Sequence, residues 1–236
     1  MKRLLLAIMS TVLSAAFTLN VCAARIEYPT NSSEGYSVSI NTEGLDVNDR
    51  ITFEEAVSLK ASHENISYEE AKEKLLIEEE RILTELAQNQ KRRFLSNKSV
   101  EQLKTELNAR DVIEYYDYKK TFTYSKCTSF KAQLEASIVV VDDYSNHKFI
   151  DRVDYIYSRR VAGEYDFDWI EKAATANIAA GKKSVRLAVS GYFTSSKNVD
   201  FGGDFSLPGF SVGSTIGNTI TLMSETVNAA YDYTVH

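Results

Sequence analysis

Three kinds of side chain in this sequence could do chemistry near neutral pH: histidine, cysteine and closely spaced carboxylates. The histidines are His63, His147 and His236. A histidine base needs a partner to orient it, and a zinc site needs three or four ligands at short spacings, such as two histidines one helical turn apart. None of the three falls in such a pattern. His63 sits at an expected helix end, His147 in a turn beside Asn146, and His236 is the last residue. Cys127 has no histidine placed to activate it and reads as a small buried hydrophobe, with an intermolecular disulfide as the alternative. No Gly-x-Ser-x-Gly elbow stands on a strand-to-helix turn; Ser190-Gly191 follows a strand but lacks the rest. Gly202-Gly203 reads as a turn, not as a phosphate cradle.

Carboxylates offer slightly more. Asp142-Asp143 in a turn could join backbone carbonyls around calcium, which takes six to eight oxygens. Asp151 and Asp154 differ in parity, so a regular strand would send them to opposite faces. Asp166 and Asp168 flank Phe167 on one strand face, but a glycosidase needs two carboxylates at a fixed separation across a groove, which nothing here sets. The sequence therefore assigns no catalytic, cofactor-binding or metal-binding residue, and no cofactor is expected. Aromatic residues are the remaining candidates. Tyr115, Tyr116, Tyr118 and Tyr124 form one cluster, and Tyr155, Tyr157, Tyr165 and Trp169 another. Exposed and coplanar, they could stack on a glycan or a protein surface. Tyrosine also fills sheet surfaces without binding anything, and that is the expectation here.

The elements that must position these residues are better marked. Thr52-Phe53-Glu54-Glu55, Ser67-Tyr68-Glu69-Glu70 and Ser99-Val100-Glu101-Gln102 are three capping boxes, each with a hydroxyl residue followed three positions later by Glu or Gln. They predict helices over about 53–62, 68–92 and 100–109. Tyr68, Ala71, Leu75, Ile82 and Leu86 trace an apolar stripe along the second. Lys91-Arg92-Arg93 suits the negative end of that helix. From about 112 the period becomes two. One or two strands are expected over 112–118 and 121–124. Phe130, Ala132, Leu134, Ala136, Ile138 and Val140 predict a long half-buried strand, returning after a turn as Phe149, Val153, Tyr155 and Tyr157 in phase. The alanine-rich segment Ala173–Ala180 favours helix on propensity, but the alternation of Val185, Leu187 and Val189 after it favours a hairpin, with the alanines facing a close neighbour. Ile216–Met223 and Val227–Val235 predict two final strands.

The class expected is mainly β: an antiparallel sandwich or small barrel-like sheet, preceded by about three short helices, α+β overall. The division is 1–23 a cleaved signal peptide, 24–50 an N-terminal arm with a short strand at Tyr36–Ile40, 51–110 a helical segment or small helical domain, and 111–236 an antiparallel β domain.

The opening residues speak to the compartment. Lys2 and Arg3 precede an apolar run from Leu4 to Leu19, and Val21-Cys22-Ala23 offers a small residue at the last and, less ideally, Val at the third-last position. That is an export signal with a cut after Ala23, or after Ala24 as the near alternative. A retained span would need roughly 20 continuous apolar residues, and Ser10, Thr11, Ser14 and Thr18 thin this one. A lipoprotein would use Cys22, but Val21 before it is not small. No second apolar stretch of spanning length follows, so no transmembrane segment is expected after the cut. The whole chain carries 27 basic and 33 acidic residues. Losing Lys2 and Arg3 leaves 25 against 33, a charge of −8, which excludes a nucleic-acid partner. Charge is 25% and aromatic content 11%, too apolar and aromatic for a disordered chain. The expectation is an exported bacterial-type protein, secreted or envelope-associated, with a noncatalytic binding or structural role. Its partner is unknown, a glycan, a protein surface or another copy of itself being the classes considered. An extracellular hydrolase and a secreted pore former, the latter on the hairpin 130–157, are the alternatives.

Overall fold

Thr52 and Ser99 each accept a hydrogen bond from the amide three residues on, and Glu55 and Gln102 bond back to the cap amides. Ser67 likewise accepts from the Glu70 amide at 3.2 Å. The helices in this computed structural model therefore start where the hydroxyl residues place them: α1 Phe53–Glu64, α2 Tyr68–Phe94 and α3 Val100–Glu106. The third is shorter than expected, because Asn108 caps a separate single turn, α4 Ala109–Val112. The structure describes residues 47–94, 96–143, 147–161, 166–198 and 207–235. The leader with its cut, the strand expected at Tyr36–Ile40, Tyr165, Gly202-Gly203 and His236 lie outside them.

The strands are β1 Val47–Ile51, β2 Ile113–Tyr124, β3 Cys127–Asp142, β4 Lys148–Arg160, β5 Asp168–Ile178, β6 Ser184–Asn198, β7 Phe210–Ile216, β8 Thr219–Ser224 and β9 Val227–Thr234. They form two antiparallel sheets, and the protein is mainly β with its helical segment ahead of most of the strands. The first sheet has the order β1-β2-β3-β4. The second is built on β6. That strand pairs with β5 on one side; on the other it pairs with β9 along Ser184–Gly191 and with β8 along Thr194–Asn198, and β7 pairs with β8. The segments expected at 112–118 and 121–124 are one strand. Ile216 ends β7 instead of starting β8, because Gly217 has φ +58° at the first position of a two-residue turn, where a type II′ hairpin needs it.

The layers follow from strand alternation. On β3, Phe130, Ala132, Leu134, Ala136, Ile138 and Val140 face the second sheet and meet Val185, Leu187, Val189, Phe193, Val227 and Ala229. Val139 and Val141 face the other way, with Ile113 and Tyr115, onto Val57, Leu75, Ile82 and Leu86 of the helices. The first sheet is thus the middle of three layers.

Strand β4 departs from expectation. Its pairing with β3 slips twice, leaving Asp154 and then Asp151 unmatched. Each is the extra residue of a bulge. The bulges break the phase, so Ile150, Val153 and Ile156 pack toward the second sheet, while Phe149 packs on the helical side. Phe149 and Val153 are not in phase. The free edge of β4 is covered as well. Its Ile150 amide donates to the Lys182 carbonyl at 2.7 Å, and its Ser158 amide donates to the Glu171 carboxylate.

Gly191 shows how closely the layers fit. A Cβ there would lie 2.4 Å from the Ile170 carbonyl oxygen and 2.5 Å from the Trp169 ring. Trp169 is held by an indole N–H bond of 2.8 Å to Ser158 Oγ and packs against Phe122 and Phe193.

Candidate functional site

The helix-facing side of the first sheet is apolar only over part of its length. Where helices cover it, ionised groups are threaded between the layers. Glu79, 4% exposed, accepts from Tyr115 Oη at 3.0 Å and pairs with Arg110, whose guanidinium lies 3.7 Å from the Phe53 ring centre. Nearby, both bulge aspartates turn onto one guanidinium. Arg152 Nε donates to Asp154 at 2.7 Å and Nη1 to Asp151 at 3.1 Å, while Arg81 of α2 reaches Asp151 at 2.6 Å. The bulges thus bring together two carboxylates that a regular strand would send apart. Chemically this is a latch between α2 and β4, because every carboxylate in it is held by a cation.

Beyond Tyr115 and Val139 the same side becomes polar. Asp117, Lys119, Glu135, Ser137, Tyr155, Tyr157 and Arg159 share it, by alternation along β2, β3 and β4. His63, near the end of α1, stacks on Tyr155 and Tyr157 with ring centres 4.5 and 5.1 Å away. Glu135 is buried and accepts from Tyr157 Oη at 2.6 Å and from Arg159 Nε. Burial, then the neighbouring Glu135, pushes the Tyr157 phenol up to about 12. Burial and Asp117 raise Tyr155 beyond that range. Both phenols therefore stay protonated donors at neutral pH. Asp117 is buried; it takes Lys119 Nζ at 2.5 Å, but its Oδ1 has no hydrogen-bond partner among the described residues.

The other residues singled out in the sequence are dispersed. His147 is exposed, 3.9 Å from Asp143, which also pairs with Arg93 at 3.2 Å. Asp166 and Asp168 are exposed on either side of Arg160. Among the described residues no group of three or more His, Cys, Asp or Glu could hold a metal ion. Tyr115, Tyr124, Tyr155 and Trp169 are buried, and Tyr116 and Tyr118 pack with Tyr233 between the sheets, so these tyrosines do not form an exposed stacking platform. Cys127 is buried as expected, but it is disulfide-bonded and not a free thiol. The only other cysteine of the sequence, Cys22, lies outside the described residues.

The outer face of the second sheet is open. Thr175, Ala188 and Ala230 align across β5, β6 and β9, and Ala173, Ser190 and Asn228 align beside them. Thr194, Ser196 and Thr221 continue the face, with the last two hydroxyls 2.9 Å apart. Small hydroxyl, amide and methyl groups are frequent on it, beside Ile170 and Tyr192, and its charged side chains include Asp168, Lys172 over the Tyr192 ring and the Arg186–Asp232 pair at 3.5 Å. The run of small residues was visible in the sequence; its outward direction was not, because that needs the second sheet's partner layer. No protein-family model matches the chain, and neither a curated protein nor a solved structure matches it significantly. Among the described residues no helix is long and apolar enough to cross a membrane.

Proposed function

We propose that the chain is an exported bacterial-type protein with a noncatalytic binding or structural role outside the cytoplasm, presenting the second sheet to its partner. The observation that carries this reading is the asymmetry of the layers. The helices cover one face of the sandwich, and the opposite face is left uncovered, with small polar side chains across β5, β6 and β9. Small polar side chains on a rigid sheet give a surface that a glycan or protein can approach with little side-chain ordering cost. Two measurements test it. Fractionation of the producing cell should place the protein outside the cytoplasm, with a mature chain starting at Ala24; a cytoplasmic pool, or a mature chain still holding Cys22 as the partner of Cys127, would overturn the export reading or its cut site. Glycan arrays and sedimentation with cell-envelope material should show binding that Ser190→Arg abolishes and Glu101→Arg, on the helical side, does not.

A hydrolase reading has one observation in its favour, the two buried carboxylates Asp117 and Glu135 on one sheet side beneath His63. A panel of chromogenic esters and glycosides tests it. Turnover lost in both Asp117→Asn and Glu135→Gln would promote it, and no turnover by the wild type would end it.

A further inference from the structure

The sheet edges of this molecule differ in their protection. An open strand edge is an invitation to another strand, and natural sheets blunt it with charge, proline or a covering element. Strand β1 carries Asp49 and Arg50, β5 carries Asp168, Glu171 and Lys172, and β9 carries Asp232. The edge of β4 is occupied by Lys182 and Glu171. Strand β7 has no such device among the described residues. Its sequence, Phe210-Ser-Val-Gly-Ser-Thr-Ile216, contains neither charge nor proline, and among the described residues it pairs with β8 alone.

We infer that β7 pairs with β7 of a second copy, so that the second sheet continues across a two-fold axis. Charge makes a second copy the fitting occupant. The chain is −6 overall, so two copies repel over most of their surface. From Phe205 to Ser224 no side chain is ionisable, the longest such stretch after residue 25. The charged group that follows, Glu225, is neutralised by Lys126 at 2.9 Å. Here two copies meet without placing like charges together. The exposed apolar groups agree. Gly213 is the extra residue of a bulge against β8, with Met223 filling the space a Cβ would take. That bulge sends Val212 and Ile216 to opposite faces of the edge, and they are 64% and 78% exposed. Both faces of the edge thus have an aliphatic group to bury against a neighbouring strand. A bilayer fits less well, because an open strand edge in hydrocarbon leaves its main-chain groups without partners.

The test is sedimentation equilibrium of the purified chain over a concentration series, at physiological and at 1 M salt. The expected result is a monomer–dimer equilibrium that tightens at high salt, where like charges are screened. Ser214→Lys and Ile216→Lys, each adding a cation to the paired edge of both copies, should weaken it about tenfold or more. Ile77→Lys on the exposed side of α2 should leave it unchanged. Far-UV spectra and melting temperatures of the two edge variants should match the wild type in its monomeric form. A monomer at every concentration, or a dimer indifferent to both edge variants, overturns the inference. So does binding to zwitterionic vesicles, by a chain otherwise monomeric, that the same variants abolish, since that assigns the edge to lipid.

Discussion

The two sides of the first sheet are buried by different means. Toward the second sheet the contact is mainly apolar and aromatic: Phe122, Phe130, Phe167, Trp169 and Phe193 pack with aliphatic residues of five strands. Toward the helices a smaller aliphatic cluster is interrupted by Glu79, Arg152, Asp151 and Asp154. Burying area stabilises without regard to direction, whereas a buried charge is tolerable only in one geometry. The sandwich is therefore held mainly by packing, and the helical layer is held in register by ions. Salt and pH should act on the second contact far more than on the first.

The largest effect expected is on the aromatic contact. Phe193→Ala should cost about 4 kcal/mol in urea unfolding, by lost burial and the cavity it leaves, and by the same amount at pH 5 and pH 8. Gly191→Ala should cost about 3 kcal/mol, since the Ile170 backbone and the Trp169 ring must both shift for the new methyl. On the ionic contact, Arg152→Ala should cost about 3 kcal/mol at pH 7, because Asp154 is left buried without its cation. Unlike the two core changes, this cost should fall when the carboxylate is removed as well, so Arg152→Ala with Asp154→Asn should cost less than Arg152→Ala alone. A double variant no more stable than Arg152→Ala would erase the distinction between the contacts.

A smaller pH effect is expected on the sandwich side itself, because Glu114 lies there, opposite Val140 and bonded to Tyr116. Glu114 is partly buried, which works against its charge. Even so, hydrogen bonds from Lys148 and Tyr116, with Arg50 nearby, hold its carboxyl below the usual range. Its contribution to stability is thus present above about pH 4 and is lost as pH falls through the depressed value. Melting temperatures from pH 7 to pH 3 should fall less steeply in Glu114→Gln than in the wild type. At the alkaline end, Tyr157 holds its proton to about 12 when folded, against an ordinary phenol near 10, so its contribution is complete below pH 10 and disappears as pH rises through 12. Least of all, His63→Ala should cost only about 0.5 kcal/mol, the loss of stacking by a mostly exposed ring.

Much of this arrangement was legible in the chain, and what was not has a common cause. The caps Thr52, Ser67 and Ser99 act within four residues, so their helices could be placed from the sequence. The even positions from Phe130 to Val140 alternate without interruption, so β3 and its buried face could be read too. Strand β4 failed because a bulge has no signature of its own. Asp151 and Asp154 look like ordinary turn-adjacent acids until β3 is laid beside them. The polar cluster was hidden for the same reason, since His63 meets Tyr155 and Tyr157 across more than ninety positions of chain. The bare edge at β7 is a different lesson. Its signal, an unbroken absence of charge, was present in the sequence, but a search for reactive residues passes over a stretch that has none.

The order of strands also sets an order in time. Helices and first sheet are complete by Arg160, yet the face that carries Phe122, Phe130 and Leu134 has nothing to lie against until β6 and β9 exist. At roughly 5–20 residues per second of synthesis, the first half waits several seconds for the second. During that interval it displays its most aromatic surface. A chain delivered across a membrane starting from its N-terminus meets the same delay on the far side, where a holding chaperone or fast translocation would decide its yield.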